Sequence, residues 1–161
     1  MALSKKVITM LEKGKAAFEV VEHRTVYTAY DLAQTLKMKM QEIAKTLLVK
    51  VDSAYYLVVI PAHYKLDLPK VKKLFKAKKV QIAREGEMKK KFNVKPGAIT
   101  AFGTVHKVGV VMDKALLKAQ RALFGAGSFT ESVRMKVKDY MKLEGDNLQT
   151  AVIAKRDATK K

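Results

Sequence analysis

Residues 45–51 and 55–61 are two strand-length apolar runs separated only by Asp52, Ser53 and Ala54. A link this short leaves no room for a crossover, so the two runs are expected to pair as an antiparallel hairpin at the centre of whatever sheet the chain builds. The first run opens on a lysine. If 45–51 is extended, alternation puts Lys45, Leu47, Val49 and Val51 on one face and Thr46, Leu48 and Lys50 on the other. Lys45 then stands at the rim of an apolar face, where a cation costs desolvation unless something anionic meets it. Two readings are open: a strand-end lysine that snorkels to water, or a cation placed for an anionic ligand.

The remaining pattern surrounds this hairpin with helices and short strands. Leu3, Val7, Ile8, Met10 and Leu11 recur at helical spacing, with Gly14 as the stop. Residues 18–23 alternate as a strand, and Thr28 is an N-cap for a helix over 29–36 with Asp31 in its first turn. Residues 41–44 read as a short second helix. Pro69 opens a helix that buries Val71, Leu74 and Phe75, followed by a strand at 80–83 and a second basic helix at 85–92. Residues 94–103 read as a Pro/Gly-marked loop, 108–112 as a strand, 114–124 as a helix closed by Gly125, and 129–137 as a strand. Strands and helices interleave while the early hairpin spoils a purely parallel sheet, so the expected class is α/β (α+β) with a mixed central sheet. One unit over residues 1–161 is expected, ending in a basic tail at 154–161.

Charge is the outlier of the composition. Thirty-three Lys and Arg against fifteen Asp and Glu leave +18 over 161 residues. Such a field collects polyanions, nucleic acid before an anionic membrane surface, and no strong amphipathic anchor favours the membrane. Residues 65–91 hold eleven Lys/Arg and three acids, a net of +8. Within them Lys72, Lys73, Lys76, Lys78 and Lys79, followed by Lys89, Lys90 and Lys91, are candidates for one basic shoulder that contacts a nucleic-acid phosphate backbone. Lysine outnumbers arginine there, which favours phosphate contact over reading of bases; two ordinary amphipathic helices with solvated faces are the alternative.

Several chemistries are excluded. With no cysteine there is no disulfide, thiolate nucleophile or Cys-ligated zinc. His23, His63 and His106 are too scattered for a metal site, and no cofactor motif appears: the glycines of 97–103 lack the following Lys-Ser/Thr of a P-loop. Gly125-Ala126-Gly127 reads as following a helix and preceding a strand, the reverse of a dinucleotide-binding turn. Ser128 has no obvious base. The first residues break their apolar run with charge, and the longest apolar stretch, 54–62, is far short of a span. A cytoplasmic location is expected.

His23 with Thr28 and the helix after it, then Ala44-Lys45-Thr46-Leu47-Leu48, Val58-Val59-Ile60-Pro61, Lys65-Leu66-Asp67-Leu68-Pro69-Lys70, and Lys95-Pro96-Gly97-Ala98-Ile99-Thr100-Ala101-Phe102-Gly103 occur in one order. In this order the chain resembles the YbaK/ProX family of trans-editing aminoacyl-tRNA deacylases, related to the insertion domain of bacterial prolyl-tRNA synthetase, over about residues 19–143.

The resemblance implies a partly rolled mixed sheet with flanking helices. It implies hydrolysis of the ester on a mischarged tRNA, Cys, Ala or a similar small amino acid on a tRNA-Pro-like substrate, with a synthetase as a possible partner. Lys45 matches the lysine that contacts the 3′-terminal nucleotide, and Gly97 the loop glycine whose backbone holds the aminoacyl group and water. Thr46, Ala98, Thr100, Phe102 and Gly103 are further substrate-pocket candidates. The family draws on the terminal ribose hydroxyl or the substrate's own side chain, in keeping with the missing nucleophile. Ala101 stands where a proline is common, Phe92-Asn93 where Thr-Gly is usual, and Phe129 near a position that carries His in some branches. Ala101 and Asn93 motivate the alternative of a non-catalytic aminoacyl-tRNA or RNA-binding domain of the same fold, while Phe129 bears on which branch's specificity carries over.

Overall fold

The computed structural model describes residues 4–26, 28–92 and 99–156. In chain order, helix α1 (Lys5–Lys13) ends at Gly14, whose N–H donates to Met10 O at 3.0 Å. Gly14 is a close-approach position: an added Cβ would lie 2.1 Å from Leu143. Strand β1 (Phe18–Glu22) leads to α2 (Ala29–Leu36), capped as expected, with Thr28 Oγ1 accepting from the Asp31 N–H at 3.0 Å. A 3-10 turn (Met40–Glu42) stands where a short helix was expected and delivers the chain into β2 (Ala44–Val51).

Strands β2 and β3 (Ala54–Pro61) form the hairpin, paired antiparallel from Ala44↔Pro61 to Val51↔Ala54. Asp52 takes the left-handed conformation at φ 53°, and its Oδ1 accepts from the N–H groups of Lys78 and Lys79 at 3.0 and 2.9 Å. Next come β4 (Tyr64–Leu66), α3 (Leu68–Phe75), β5 (Val80–Ile82) and α4 (Glu85–Phe92). Asp67 caps α3 and Pro69 lies in its first turn. Val71 is fully buried, but Leu74, expected inside, is 38% exposed, because an eight-residue helix has only the Val71–Phe75 row facing the sheet.

After the short helix α5 (Gly103–His106) come β6 (Gly109–Asp113), β7 (Arg121–Gly125), β8 (Glu131–Lys136), α6 (Val137–Glu144), β9 (Leu148–Ala151) and β10 (Ala154–Arg156). The helix expected over 114–124 is not formed. Asp113 caps a 3-10 turn (Lys114–Lys118), and the chain then extends to pair β7 with β8 from Arg121↔Lys136 to Gly125↔Ser132. Ladder pairing and burial of Ala122, Leu123 and Phe124 outweigh a local periodicity that reads as helical. Gly125-Ala126-Gly127 therefore follows a strand, not a helix, and Gly127 supplies a positive φ of 86° for the turn into β8. The tail also departs from expectation up to Arg156, since β10 pairs antiparallel with β4.

The main sheet runs β5-β2-β3-β6-β9, antiparallel across the hairpin and parallel for β3–β6 and β6–β9. A three-stranded sheet, β1-β8-β7, packs beside it, tied by the Ile43↔Leu123 bridge. The mixed sheet is the one expected. One main-sheet face (Leu48, Leu57, Val59, Val110, Met112) meets Phe102, Phe124, Val133 and Tyr140; the other (Val49, Val58, Ile60, Val111) lies under Val71 and Ile153. Asp113, 2% exposed, joins the layers: Oδ1 accepts from Ala115 N–H at 2.8 Å, Oδ2 from Ile153 and Ala154 N–H at 2.9 and 2.8 Å.

Candidate functional site

The start of β2 opens into a cleft of about 420 Å³. Lys45, Thr46, Leu47 and Leu48 form one wall, Ala29 and Leu32 of α2 another, Ala83 and Met88 a third; His23, Ser128, Ser132 and Ile99 are also part of the lining. Alternation places Lys45 with Val49 and Val51, as expected, and Thr46 with Ala44 and Leu48 on the opposite face. At the strand's end both reach the same opening. Lys45 Nζ donates to the Tyr64 carbonyl at 3.1 Å, so the ammonium is oriented rather than left to snorkel. Thr46 Oγ1 is buried and has no hydrogen-bond partner among the described residues, which leaves a polar group in the cleft wall to be met by a ligand or water.

A histidine–serine pair, unread in the sequence, lies on the same cleft. His23 Nδ1 is 2.9 Å from the Arg24 carbonyl and Nε2 is 3.0 Å from Ser132 Oγ. A carbonyl only accepts, so Nδ1 carries a proton, while at Nε2 the Ser132 hydroxyl can act as donor or acceptor. The residues are 109 apart in sequence and meet because β1 pairs with β8. Separation along the chain hid this pair; among local signals only the His23 that carried the resemblance pointed to it.

The pocket candidates divide. Thr46 is on the cleft. Gly97 and Ala98 fall outside the described residues, as does Asn93. Thr100, Phe102 and Gly103 do not line the cleft. Phe102 is fully buried, edge-on to Tyr140 at 5.3 Å, because its apolar ring completes the core between the sheets. Gly103 begins α5, where an added Cβ would lie 2.5 Å from Val108 O. Thr100 holds the turn: its Oγ1 accepts from Phe102 N–H at 3.1 Å and lies 2.9 Å from His106 Nε2, which also accepts from Thr100 N–H at 3.3 Å. Burial and the nearby Lys6 push the His106 pKa below its ordinary value, keeping the ring neutral and able to accept. Ala101, in the proline position of the resemblance, uses the N–H a proline lacks: it donates to Gly125 O at 3.0 Å, while its carbonyl accepts from Tyr140 OH.

The basic shoulder is only partly gathered. Lys79, Lys90 and Lys91 share a cleft of about 480 Å³ with Lys50, Arg84, Tyr55 and Glu87. Lys91 and Lys50 lie 5.3 and 5.8 Å from the Tyr55 ring centre, and Glu87 accepts from Tyr55 OH. Lys72, Lys73, Lys76, Lys78 and Lys89 do not line it. Among the described residues no group of three His, Asp or Glu is placed to hold a metal, and no helix is long and apolar enough to cross a membrane.

Comparison with known proteins agrees with this architecture. The chain is 31% identical over 108 residues to the proline–tRNA ligase of Macrococcus caseolyticus strain JCSC5402, covering 67% of this chain and 19% of that one. It is 31% identical over 123 residues to the ligase of Geobacillus sp. strain WCH70, covering 74% and 22%. It thus spans about a fifth of the length of these relatives. Among solved structures, a crystallised hypothetical protein superposes with a TM-score of 0.84 at 20% identity, covering 94% of this chain and all (100%) of that one. A protein described as a candidate trans-editing enzyme for prolyl tRNA synthetase superposes at 0.80 with 23% identity, covering 97% and 100%. At these identities the superpositions speak to the fold. The sequence profile of the aminoacyl-tRNA editing domain matches residues 23–143, and the chain belongs to that family.

Proposed function

We propose that this protein is a deacylase that hydrolyses the ester between a small, wrongly attached amino acid and the 3′ end of a tRNA, acting in trans. The observation that carries the reading is the Lys45 ammonium, fixed by the Tyr64 carbonyl at the mouth of a 420 Å³ cleft. That volume is in the range of small-molecule sites, and a fixed cation there has the terminal nucleotide as its natural partner. An aminoacyl ester is activated, so positioning, an oriented cation and ordered water suffice without a side-chain nucleophile. Gly97 is proposed to supply backbone donors to the aminoacyl group, and Thr46 a polar contact that favours a small side chain. Relatedness to proline–tRNA ligases makes a proline tRNA carrying alanine or cysteine the first substrate to try.

The test incubates the protein with proline tRNA mischarged with Ala, Cys or Ser and follows release of free amino acid. Release that disappears in Lys45→Ala supports the deacylase. Binding of the aminoacyl-tRNA without release supports the second reading, a binding domain without turnover, which Ala101 and Asn93 at positions of family departure favour.

A further inference from the structure

A second, larger cleft of about 630 Å³ lies next to the first, and its lining is cationic. Lys39, Lys118, Arg121, Arg134 and Arg156 converge on it from four separate stretches of the chain, together with His63, against one lining carboxylate, Glu42. None of these cations belongs to the dense 65–91 run, so the site arises from folding and not from local composition. Two of its nitrogens are buried without a hydrogen-bond partner among the described residues, His63 Nδ1 and Arg134 Nε. A buried unpaired donor is costly, and a group bearing several acceptor oxygens would satisfy both atoms. Three arginines suit this task, since a guanidinium fork matches a phosphate in geometry and desolvates more easily than an ammonium.

The two clefts are joined at Tyr64. Its carbonyl holds Lys45 of the first cleft, while the residue itself lines the second. They are joined again on β8, where Ser132 lines the first and Arg134, two residues on along the same face, lines the second. Two residues of strand span about 7 Å, the length scale of a nucleotide step.

We propose that the second cleft binds phosphodiester groups of the RNA strand that ends in the Lys45 cleft, holding the last nucleotides before the esterified 3′ end. This deepens the deacylase reading and rests on it for the identity of the strand. It assigns strand binding to Lys118, Arg121, Arg134 and Arg156, a set distinct from the lysines of α3 and α4.

Binding of a 5′-labelled acceptor-stem RNA ending in single-stranded CCA is measured by anisotropy across a KCl series. Lys118 and Arg156 are exposed, so the double variant Lys118→Gln/Arg156→Gln tests charge rather than core packing. Loss of two phosphate contacts is expected to flatten the slope of log K against log[KCl] by about 1.4 and to raise KM for mischarged tRNA about tenfold. Lys13→Gln/Lys138→Gln removes the same charge elsewhere and is expected to change the slope by less than half as much. An unchanged slope in the first variant, or an equal change in both, overturns the proposal. Wild-type hydrolysis of 2′(3′)-O-alanyl-adenosine, which has no phosphate, tests the deacylase reading separately: its failure with a normal RNA salt response would sink that reading and leave the phosphate site standing.

Discussion

Lys45 Nζ and the Tyr64 carbonyl oxygen are 3.1 Å apart, a bond between the first strand of the central hairpin and the strand that pairs with the chain's last described residues. It fixes where the ammonium points before any ligand arrives. Removing the charge while keeping most of the stem therefore separates electrostatics from packing: Lys45→Met is expected to retain the fold and lose about 10²–10³ in kcat/KM, the size typical of removing one fixed transition-state contact. Deacylation kinetics and a denaturant melt on the same preparation check this. A melt lowered by several kcal/mol, with activity lost only in proportion to unfolding, would assign Lys45 a structural role.

The Asp113 carboxylate accepts three backbone N–H bonds, from Ala115, Ile153 and Ala154, in a site 2% exposed. Asp113→Ala leaves those donors buried and unpaired, which is expected to cost about 3 kcal/mol of folding stability. Urea unfolding with an unchanged m-value measures it. Asp113→Asn, which keeps the shape and one carbonyl acceptor, is expected to recover part of the loss.

These two residues illustrate what was legible in the chain. The hairpin, the Thr28 cap and the mixed sheet follow from local rules, alternation, turn length and capping, and all three stand as expected. Residues 114–124 misled because Ala115, Leu116, Ala119 and Leu123 have a helical period, and only partners far along the chain, β8 for Arg121–Gly125 and the Ile153–Ala154 amides for Asp113, decide for strand and cap. The candidate site divides by the same rule. Lys45 stands out by its strand position and Thr46 through the family resemblance, whereas His23–Ser132 and the Arg134 cleft exist only after sheet pairing. Phe102 and Gly103, the last two residues of the 95–103 motif, are core and close-approach residues in the fold.

His106 supplies a pH dependence. Its ring is held below the ordinary 6.5 by burial first and then by Lys6, and its neutral Nε2 accepts from Thr100. A histidine depressed in the folded state contributes stability that is whole above the unfolded pKa and falls as pH drops below about 6.5 toward the folded value. His63, also lowered by burial, Arg156 and Lys118, titrates in the same window. Urea midpoints from pH 7.5 to 5.0 should therefore fall for the wild type, fall less for His106→Asn, and flatten further in His106→Asn/His63→Asn. Identical slopes in wild type and His106→Asn would show that the Thr100–His106 bonds do not carry this pH dependence.

Thr46 pits stability against function in a single side chain. Its hydroxyl is buried, on the cleft and unpaired among the described residues, so the folded protein bears a desolvation cost that valine, of the same shape and with equal strand preference, does not. Thr46→Val is expected to stabilise the fold by about 1 kcal/mol. If the hydroxyl is there to meet the aminoacyl group or its water, the same change raises KM for mischarged tRNA several-fold and narrows the preference among alanyl, cysteinyl and seryl esters. A parallel thermal melt and deacylation assay on the three substrates distinguishes the outcomes. Gained stability with unchanged kinetics would mark Thr46 as an idle defect of the wall rather than a substrate contact.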